Sequence, residues 1–171
     1  MSEKFDSFIP LNICVLTVSD TRTHENDTSG QKLADGVTDS GHVLFDRTMV
    51  KDDIYHIRKV ISDWVFNTKV HAIVITGGTG FAGRDSTPEA VTPLLDKEVV
   101  GFGELFRQIS FADIATSTIQ SRAFAGLANK TVIFCLPGST GACATGWNDI
   151  IVSQLDSRNK PCNFVGQLVN T

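Results

Sequence analysis

The sequence predicts a single-domain α/β fold, a three-layer αβα sandwich with a mainly parallel sheet. Apolar runs of strand length alternate with segments of helical periodicity, which is the pattern of parallel strands covered by helices on both faces. The length of 171 residues suits one compact core. The hydrophobic fraction of 42% and the charged fraction of 20% are those of a globular protein. We expect one domain over residues 1–171, with tails at residues 1–10 and 156–171.

The N-terminal quarter predicts a strand, a helix and a second strand. Residues 12–18, which include the apolar run Ile13–Leu16, are expected to be a buried strand. A helix should follow to residue 40, with Thr28 or Ser29 as its N-cap and Gly41 in a left-handed stop. Residues 42–50 are mixed in polarity, with Val43 and Phe45 at alternating positions, and they predict the second strand.

The middle of the chain predicts a helix, a strand and a glycine-rich loop. Asp52 or Asp53 is expected to cap the helix. Its apolar residues fall along one helical stripe: Ile54, Ile57, Ile61, Trp64 and Val65. Residues 70–76 predict the third strand, which continues into a loop at residues 77–86. The next helix is expected to begin at Thr87 as cap.

The remaining segments complete the alternation. Residues 101–114 and 117–128 are expected to be helical, residues 131–136 form another strand, and a last helix should run to Leu155. Parallel sheets bind ligands at the carboxyl ends of their strands. The expected strand ends at this edge are Val18, Thr76 and Leu136.

Composition argues against several classes of partner. With 15 basic and 19 acidic residues the formal net charge is −4, which disfavours a nucleic-acid partner. No apolar run approaches the roughly 20 residues of a membrane helix, and residues 1–10 show no signal peptide. The four cysteines form no C-x-x-C pair. We therefore expect a reduced, cytoplasmic protein without a membrane partner.

The most informative stretch is the glycine-rich loop at residues 77–86. Glycines after a buried strand let the backbone approach a ligand and turn N–H groups toward an anion. Gly78, Gly80 and Gly83 also spell the dinucleotide-binding pattern, but that pattern should open directly into a helix after the first strand. The P-loop pattern fails because no Gly-Lys-Ser/Thr follows. Asp85, near the end of the loop, suits a holder of Mg²⁺ bound to phosphates.

Motifs spread in order along nearly the whole chain carry a specific resemblance. They are Leu16-Thr17-Val18-Ser19-Asp20, Asp27-Thr28-Ser29-Gly30, Ile75-Thr76-Gly77-Gly78-Thr79-Gly80, Arg84-Asp85-Ser86-Thr87-Pro88-Glu89, Gly101-Phe102-Gly103-Glu104, Arg107-Gln108-Ile109-Ser110, Ser121-Arg122 and Leu136-Pro137-Gly138-Ser139. With these motifs the sequence resembles the molybdenum cofactor biosynthesis proteins of the MoaB and MogA type. Its short C-terminus resembles MoaB rather than MogA.

The resemblance implies a molybdopterin adenylyltransferase. The terminal phosphate of molybdopterin would attack the α-phosphorus of ATP and release pyrophosphate, with Mg²⁺ as cofactor. Because the attacking phosphate is already an anion, such a site must supply alignment and charge neutralisation rather than a strong base. The expected ligands are therefore molybdopterin and ATP.

The resemblance also assigns site residues. The functional acidic positions of the family align with Asp27, Asp52 and Asp85, and we assign Asp52 and Asp85 to catalysis and to Mg²⁺. Asp52 could instead be a helix cap, which would leave Asp53 as the functional acid. The expected substrate-binding residues are Ser19, Asp27, Gly77, Gly78, Thr79, Gly80 and Ser110. The expected nucleotide-binding residues, at a helix N-terminus, are Pro137, Gly138 and Ser139.

Two other functions remain open from the sequence. The chain could be a non-catalytic or redundant molybdopterin-binding homologue, or an NAD-dependent oxidoreductase on the strength of the glycine pattern. The resemblance further implies self-association into a homotrimer or a hexamer. Large apolar residues could form that contact or fill the domain's own core: Phe102, Leu105, Phe106, Ile109, Phe111, Phe124 and Leu127.

Overall fold

The computed structural model describes residues 5–169 and contains a six-stranded sheet. Its strands are β1 (Asn12–Val18), β2 (Val43–Val50), β3 (Ala72–Thr76), β4 (Lys97–Glu98), β5 (Phe124–Ala128) and β6 (Thr131–Leu136). They lie in the order β2-β1-β3-β6-β5-β4. The first four in this order are parallel, β5 pairs antiparallel with β6, and β4 pairs antiparallel with β5. The prediction of a mainly parallel sheet is confirmed.

Helices cover both faces of this sheet. They are α1 (Thr28–Asp39), α2 (Ile54–Phe66), α3 (Thr87–Val91), α4 (Val100–Ile114), α5 (Thr140–Gly146), α6 (Val152–Gln154) and α7 (Val165–Val169). A π-helical turn, Trp147–Ile151, joins α5 to α6. Helices α1, α4 and α5 pack on one face, and α2 and α3 pack on the other. The three-layer sandwich is therefore confirmed. No helix within residues 5–169 is both long enough and apolar enough to cross a membrane.

Strand β1 is covered on both faces, and its residues Ile13–Leu16 are all apolar. Ile13 and Val15 point into the cluster beneath α1, whereas Cys14 and Leu16 point into the cluster beneath α2. All four side chains are fully buried. A strand covered on both faces needs apolar residues at every position, so alternation is lost.

The start of α1 differs from the prediction. Its N-cap is Asp27, whose Oδ1 accepts a hydrogen bond from the backbone N–H of Gly30 at 2.9 Å. Thr28 and Ser29 are the first two helical residues, and neither is the cap. An aspartate is at least as good a cap as serine or threonine, and Asp27 is held in place by further contacts described below. The end of α1 is as predicted, since Gly41 has a φ of +84°.

At the start of α2, Asp53 rather than Asp52 is the helix cap. Asp53 is the N-cap, and its Oδ1 accepts from the backbone N–H groups of Tyr55 and His56, each at 2.9 Å. Asp52 therefore has no capping role. At the start of α3, the predicted cap Thr87 is the first helical residue, and Ser86 occupies the cap position.

The prediction of a helix at residues 117–128 was wrong. Ala115–Gln120 forms a 3₁₀ turn, and β5 follows as a strand antiparallel to β6. The two strands are joined by Asn129 and Lys130, with φ angles of 46° and 66°. Two-residue hairpin turns of type I′ need positive φ at both positions and favour Asn-Gly. Because Lys130 rather than a glycine occupies the second position, the sequence does not indicate this turn.

Parts of both predicted tails pack on the domain. Phe5 and Ile9 contact the cluster beneath α1, and Val165 and Leu168 of α7 are buried in it. Residues 1–4 and 170–171 of those tails lie outside the described residues.

Three of the four cysteines are buried free thiols. Burial raises the pKa of Cys14 to about 12 and that of Cys143 to about 11, and it also raises the pKa of Cys135. Thiols held this far from ionisation are poor nucleophiles. They are core side chains, as predicted for Cys14 and Cys135.

The strand register brings the loops of interest together. Thr17 of β1 pairs with Thr76 of β3, and Thr76 pairs with Leu136 of β6. The three parallel strands therefore end at the same level, and the loops that follow them meet at one edge of the sheet, as predicted.

Candidate functional site

A cavity of about 780 Å³ opens at this edge of the sheet. The loops after β1, β3 and β6 form one side of it, and α4 with the 3₁₀ turn that follows forms the other. Its volume is within the range of small-molecule sites. Every predicted site residue except Asp27 lines it: Ser19, Asp52, Gly77, Gly78, Thr79, Gly80, Asp85, Ser110, Pro137, Gly138 and Ser139.

The glycine-rich loop after β3 is folded back against the sheet edge. Gly77, with a φ of +102°, donates its N–H to the carbonyl oxygen of Leu136 at 3.0 Å. Its own carbonyl accepts from the Thr87 hydroxyl at 2.8 Å. Three successive N–H groups at the cavity make no backbone hydrogen bond within residues 5–169, those of Gly78, Thr79 and Gly80. They are available to an anion.

Arg122 holds the same loop in place through its backbone N–H and its side chain. Its backbone N–H donates to the Thr79 carbonyl at 3.1 Å, its Nε to the Gly80 carbonyl at 3.0 Å, and its Nη2 to the Asp85 carbonyl at 3.1 Å. Its Nη1 forms an ion pair with Glu89. Arg122 is therefore a structural clamp on the loop rather than a free phosphate ligand.

Two carboxylates converge on the cavity from different loops. Asp85 accepts from the backbone N–H of Ala82 at 2.8 Å, which fixes its side chain inside the loop. Asp52 accepts from the backbone N–H of Ser86 at 3.1 Å and also from the Ser86 hydroxyl. The backbone N–H of Asp52 donates to Asp20 Oδ1 at 3.3 Å. The loops after β1, β2 and β3 are thus tied together around acidic groups.

The electrostatics of this corner favour a bound cation. Burial raises the pKa of Asp52, the hydrogen bonds from Ser86 oppose this, and the negative charges of Asp85 and Asp20 raise it further. Asp20 is paired with the guanidinium of Arg84. A cation bound beside Asp52 would lower the cost of keeping that carboxylate ionised.

Asp27 lies behind the cavity wall rather than in it. Its side chain is 1% exposed, and its Oδ2 accepts from the Thr17 hydroxyl at 2.7 Å and from Arg47 Nη2 at 3.2 Å. Its Oδ1 accepts from the Gly30 N–H. With both oxygens occupied, Asp27 joins β1, β2 and α1, and we assign it a structural role instead of substrate contact.

Asp27→Asn should lower the free energy of unfolding by about 3 kcal/mol near neutral pH, because it breaks a buried ion pair. Burial raises the pKa of Asp27, but hydrogen bonds from Thr17, Gly30 and Arg47 hold it below its ordinary value. The carboxylate therefore stabilises the fold fully above its unfolded pKa of about 3.9, and this contribution is lost as pH falls through the lower folded value. Urea titrations should show the gap between wild type and variant closing below about pH 4. A gap that stays constant down to the acid transition would contradict this role.

Gly77→Ala should destabilise the protein by about 2 kcal/mol or more. Its φ of +102° is strained for alanine, and a Cβ there would overlap the carbonyl oxygen of Val18. Gly83→Ala in the same loop is the matched control, since a Cβ at Gly83 meets nothing within 4 Å. Thermal unfolding should separate the two variants by several degrees. Equal melting temperatures would show that the loop adapts to a side chain at Gly77.

Sequence reasoning missed several residues that line the cavity. Asp20 and Arg84 lie inside the matched motifs, but only the fold brings their side chains together. Arg22 lies between two motifs and carries no local signal. Asp113 and Gln120 also line the cavity. Asp113 lies in the last turn of α4, which was predicted, and Gln120 lies in the 3₁₀ turn where a longer helix was expected.

Comparison with known proteins places this site in a family. A family model described as "Probable molybdopterin binding domain" matches residues 14–157. The chain belongs to this family. Molybdenum cofactor biosynthesis protein B of Escherichia coli (strain K12) is 52% identical over 164 residues, which are 96% of each chain. The resemblance to proteins of the MoaB and MogA type is thereby confirmed.

Solved structures of molybdenum cofactor biosynthesis proteins share the fold. A crystal structure of Molybdenum cofactor biosynthesis protein B superposes with a TM-score of 0.83 at 41% identity, covering 86% of this chain and 92% of that one. The tungsten cofactor synthesizing protein MoaB from Pyrococcus furiosus gives a TM-score of 0.76 at 32% identity, covering 83% and 91%. Membership of the molybdopterin binding domain family therefore rests on both sequence and fold.

Proposed function

We propose that this chain adenylylates molybdopterin. In the reaction, an oxygen of the molybdopterin phosphate forms a bond to the α-phosphorus of ATP, and the bond from that phosphorus to the β-phosphate oxygen breaks. The products are adenylyl-molybdopterin and pyrophosphate. The observation that carries the proposal is the convergence of Asp52, Asp85 and the unpaired N–H groups of the glycine-rich loop on one cavity.

The cavity suits the alignment of two phosphorylated substrates. The N–H groups of Gly78, Thr79 and Gly80 offer donors on one wall. On the same side of the cavity, Gly138 and Ser139 lie in the loop after β6 at the start of α5, where Ser139 Oγ accepts from the Ala142 N–H at 3.2 Å. Donors fixed before the substrate arrives stabilise charge that develops in the transition state without a cost in reorganisation. We assign the pterin phosphate to the glycine-rich loop and the nucleotide to the loop after β6.

Asp52 and Asp85 fit a Mg²⁺ ion that arrives with ATP. Within residues 5–169 no group of three or more His, Cys, Asp or Glu side chains is arranged to hold a metal on its own. Mg²⁺ is commonly bound by one or two protein carboxylates, with phosphate oxygens and water completing its shell. When bound, the ion would neutralise phosphate charge and stabilise the departing pyrophosphate. The chain's own part is to hold two carboxylates in position, through Ser86 and Ala82.

The oxidoreductase alternative fits the loop geometry less well. The dinucleotide-binding pattern should lead directly into a long helix, but here Arg84 to Ser86 precede α3, which is five residues long. Titration calorimetry tests the difference. MgATP should bind with measurable heat, and NAD should give none. Saturable binding of NAD together with no binding of MgATP would overturn the proposal.

We further propose a homotrimer or a hexamer. The two phenylalanines Phe102 and Phe106 fill the domain's own core, but Leu105 and Phe111 on α4 are 42% and 54% exposed, and Ile119 in the next turn is 70% exposed. Such a patch favours burial in a contact between subunits. Light scattering after size exclusion should give three or six times the chain mass of 18.5 kDa. A monomer or a dimer at micromolar concentration would contradict it.

We also propose that the protein is cytoplasmic. Free, buried cysteines at Cys14, Cys135 and Cys143 suit a reducing compartment.

A further inference from the structure

Arg22 is held at the cavity by groups from two different elements. It lies in the loop after β1 and lines the cavity. Its Nη1 donates to the Ser29 hydroxyl oxygen at 2.8 Å, at the start of α1, and its Nη2 donates to the carbonyl oxygen of Gly138 at 3.1 Å, in the loop after β6. A long side chain fixed at two points loses little further entropy when it binds a ligand.

The positive charge of Arg22 is only partly matched by protein. Both of its hydrogen-bond acceptors are neutral. Its nearest carboxylate oxygen, Asp27 Oδ1, is 3.6 Å from Nη1, which is too long for a hydrogen bond. Asp27 is already bound by Thr17, Gly30 and Arg47. A guanidinium has five N–H donors, so in the described part of the chain three of those of Arg22 have no protein acceptor.

Most of the charged residues that line the cavity are acidic. The charged residues lining it are Asp20, Arg22, Asp52, Arg84, Asp85 and Asp113. Of the two basic residues, Arg84 is already paired directly with Asp20. Arg22 is therefore the basic group on this lining whose charge is not paired directly with a carboxylate, in a cavity where carboxylates outnumber cations. A phosphate entering such a cavity is repelled unless it meets a cation.

We propose that Arg22 binds a phosphate of the substrate on the wall formed by the loops after β1 and β6. This deepens the proposed adenylyl transfer and rests on it for the identity of the substrates. The planar guanidinium matches two oxygens of one phosphate with two parallel hydrogen bonds. A phosphate with two such oxygens is present both on molybdopterin and in the adenylyl group of ATP. The two sources differ in what else is attached, so binding measurements can separate them.

Arg22→Gln and Arg47→Gln form a matched pair for the test. Both arginines approach Asp27, but only Arg22 lines the cavity. Binding is measured without Mg²⁺, for AMP by calorimetry and for molybdopterin by the fluorescence of its pterin. Arg22→Gln should weaken one of these two ligands by about tenfold or more, as expected for loss of charge-assisted hydrogen bonds. The ligand affected identifies the source of the phosphate.

The control variants separate binding from folding. Arg47→Gln should lower the melting temperature, because Arg47 pairs with buried Asp27, but leave both dissociation constants within about twofold. Arg22→Gln should instead weaken ligand binding and keep the wild-type melting temperature. Arg22→Lys should recover part of the affinity, because lysine keeps the positive charge but lacks the planar guanidinium.

The outcomes distinguish this inference from the proposed function. Unchanged affinity of Arg22→Gln for both ligands, or no binding of either ligand by wild type, would overturn the role of Arg22. If Arg22→Gln weakens binding while wild type makes no adenylylated product, Arg22 is a phosphate-binding residue and the proposed adenylyl transfer is wrong.

Discussion

Asp85→Asn should lower the rate of adenylyl transfer about a hundredfold and leave the fold intact. Asparagine has the same shape, and its side-chain oxygen can still accept from the Ala82 N–H that holds Asp85 in the loop. What is lost is a negative charge at the place where phosphate and cation must meet. Loss of one such preorganised electrostatic group costs about 3 kcal/mol of transition-state stabilisation.

Asp63→Asn is the control for the change in net charge. Asp63 is an exposed carboxylate on α2, paired with Lys59 and remote from the cavity. It should have wild-type turnover, and both variants should have wild-type circular dichroism. Wild-type turnover in Asp85→Asn would remove Asp85 from the reaction.

Asp52→Asn should impair transfer about a hundredfold, and Asp53→Asn should leave it near wild type. The two aspartates are adjacent in sequence but have different roles in the structure. Asp52 lines the cavity and is held by Ser86, whereas Asp53 is an exposed helix cap that binds the N–H groups of α2. Asparagine caps a helix as well as aspartate does, so Asp53→Asn should also keep its stability.

Asp53→Ala completes this comparison. It should lower the melting temperature, through loss of the cap, and leave turnover unchanged once the protein is folded. Steady-state turnover and thermal unfolding of all three variants check the assignment. Equal losses of turnover at both positions, or a loss at Asp53 alone, would show that the functional acid has been misassigned.

The sheet and the site edge were predictable because their signals are local. β1 contains the apolar run Ile13–Leu16 and β6 the apolar run Val132–Leu136, and each strand is followed by a loop of polar or small residues. Parallel strands then require their carboxyl ends to meet, so the loops after Val18, Thr76 and Leu136 had to be neighbours. No contact between distant residues was needed for this inference.

The rest depends on contacts between distant residues or on backbone conformations that the residue types do not indicate. Asp27 is buried because Thr17 of β1 and Arg47 of β2 supply its partners, and neither is visible from the sequence around Asp27. The hairpin before β6 depends on Lys130 in a conformation that glycine usually adopts. Asp52 and Asp53 both precede α2, and only the extended backbone at Asp53, with φ −136° and ψ 128°, makes it the cap.

The central claim is that the adenylyl group of ATP moves to molybdopterin. The direct measurement is incubation of the protein with molybdopterin, Mg²⁺ and ATP carrying radioactive phosphorus at the α-position, followed by separation of pterin, nucleotide and pyrophosphate. If the adenylyl group is transferred, we expect radioactive label on the pterin in an amount equal to the pyrophosphate released, and no label in the pyrophosphate. Label that stays in ATP while molybdopterin is bound to the protein would contradict it and would identify a binding homologue without catalytic activity.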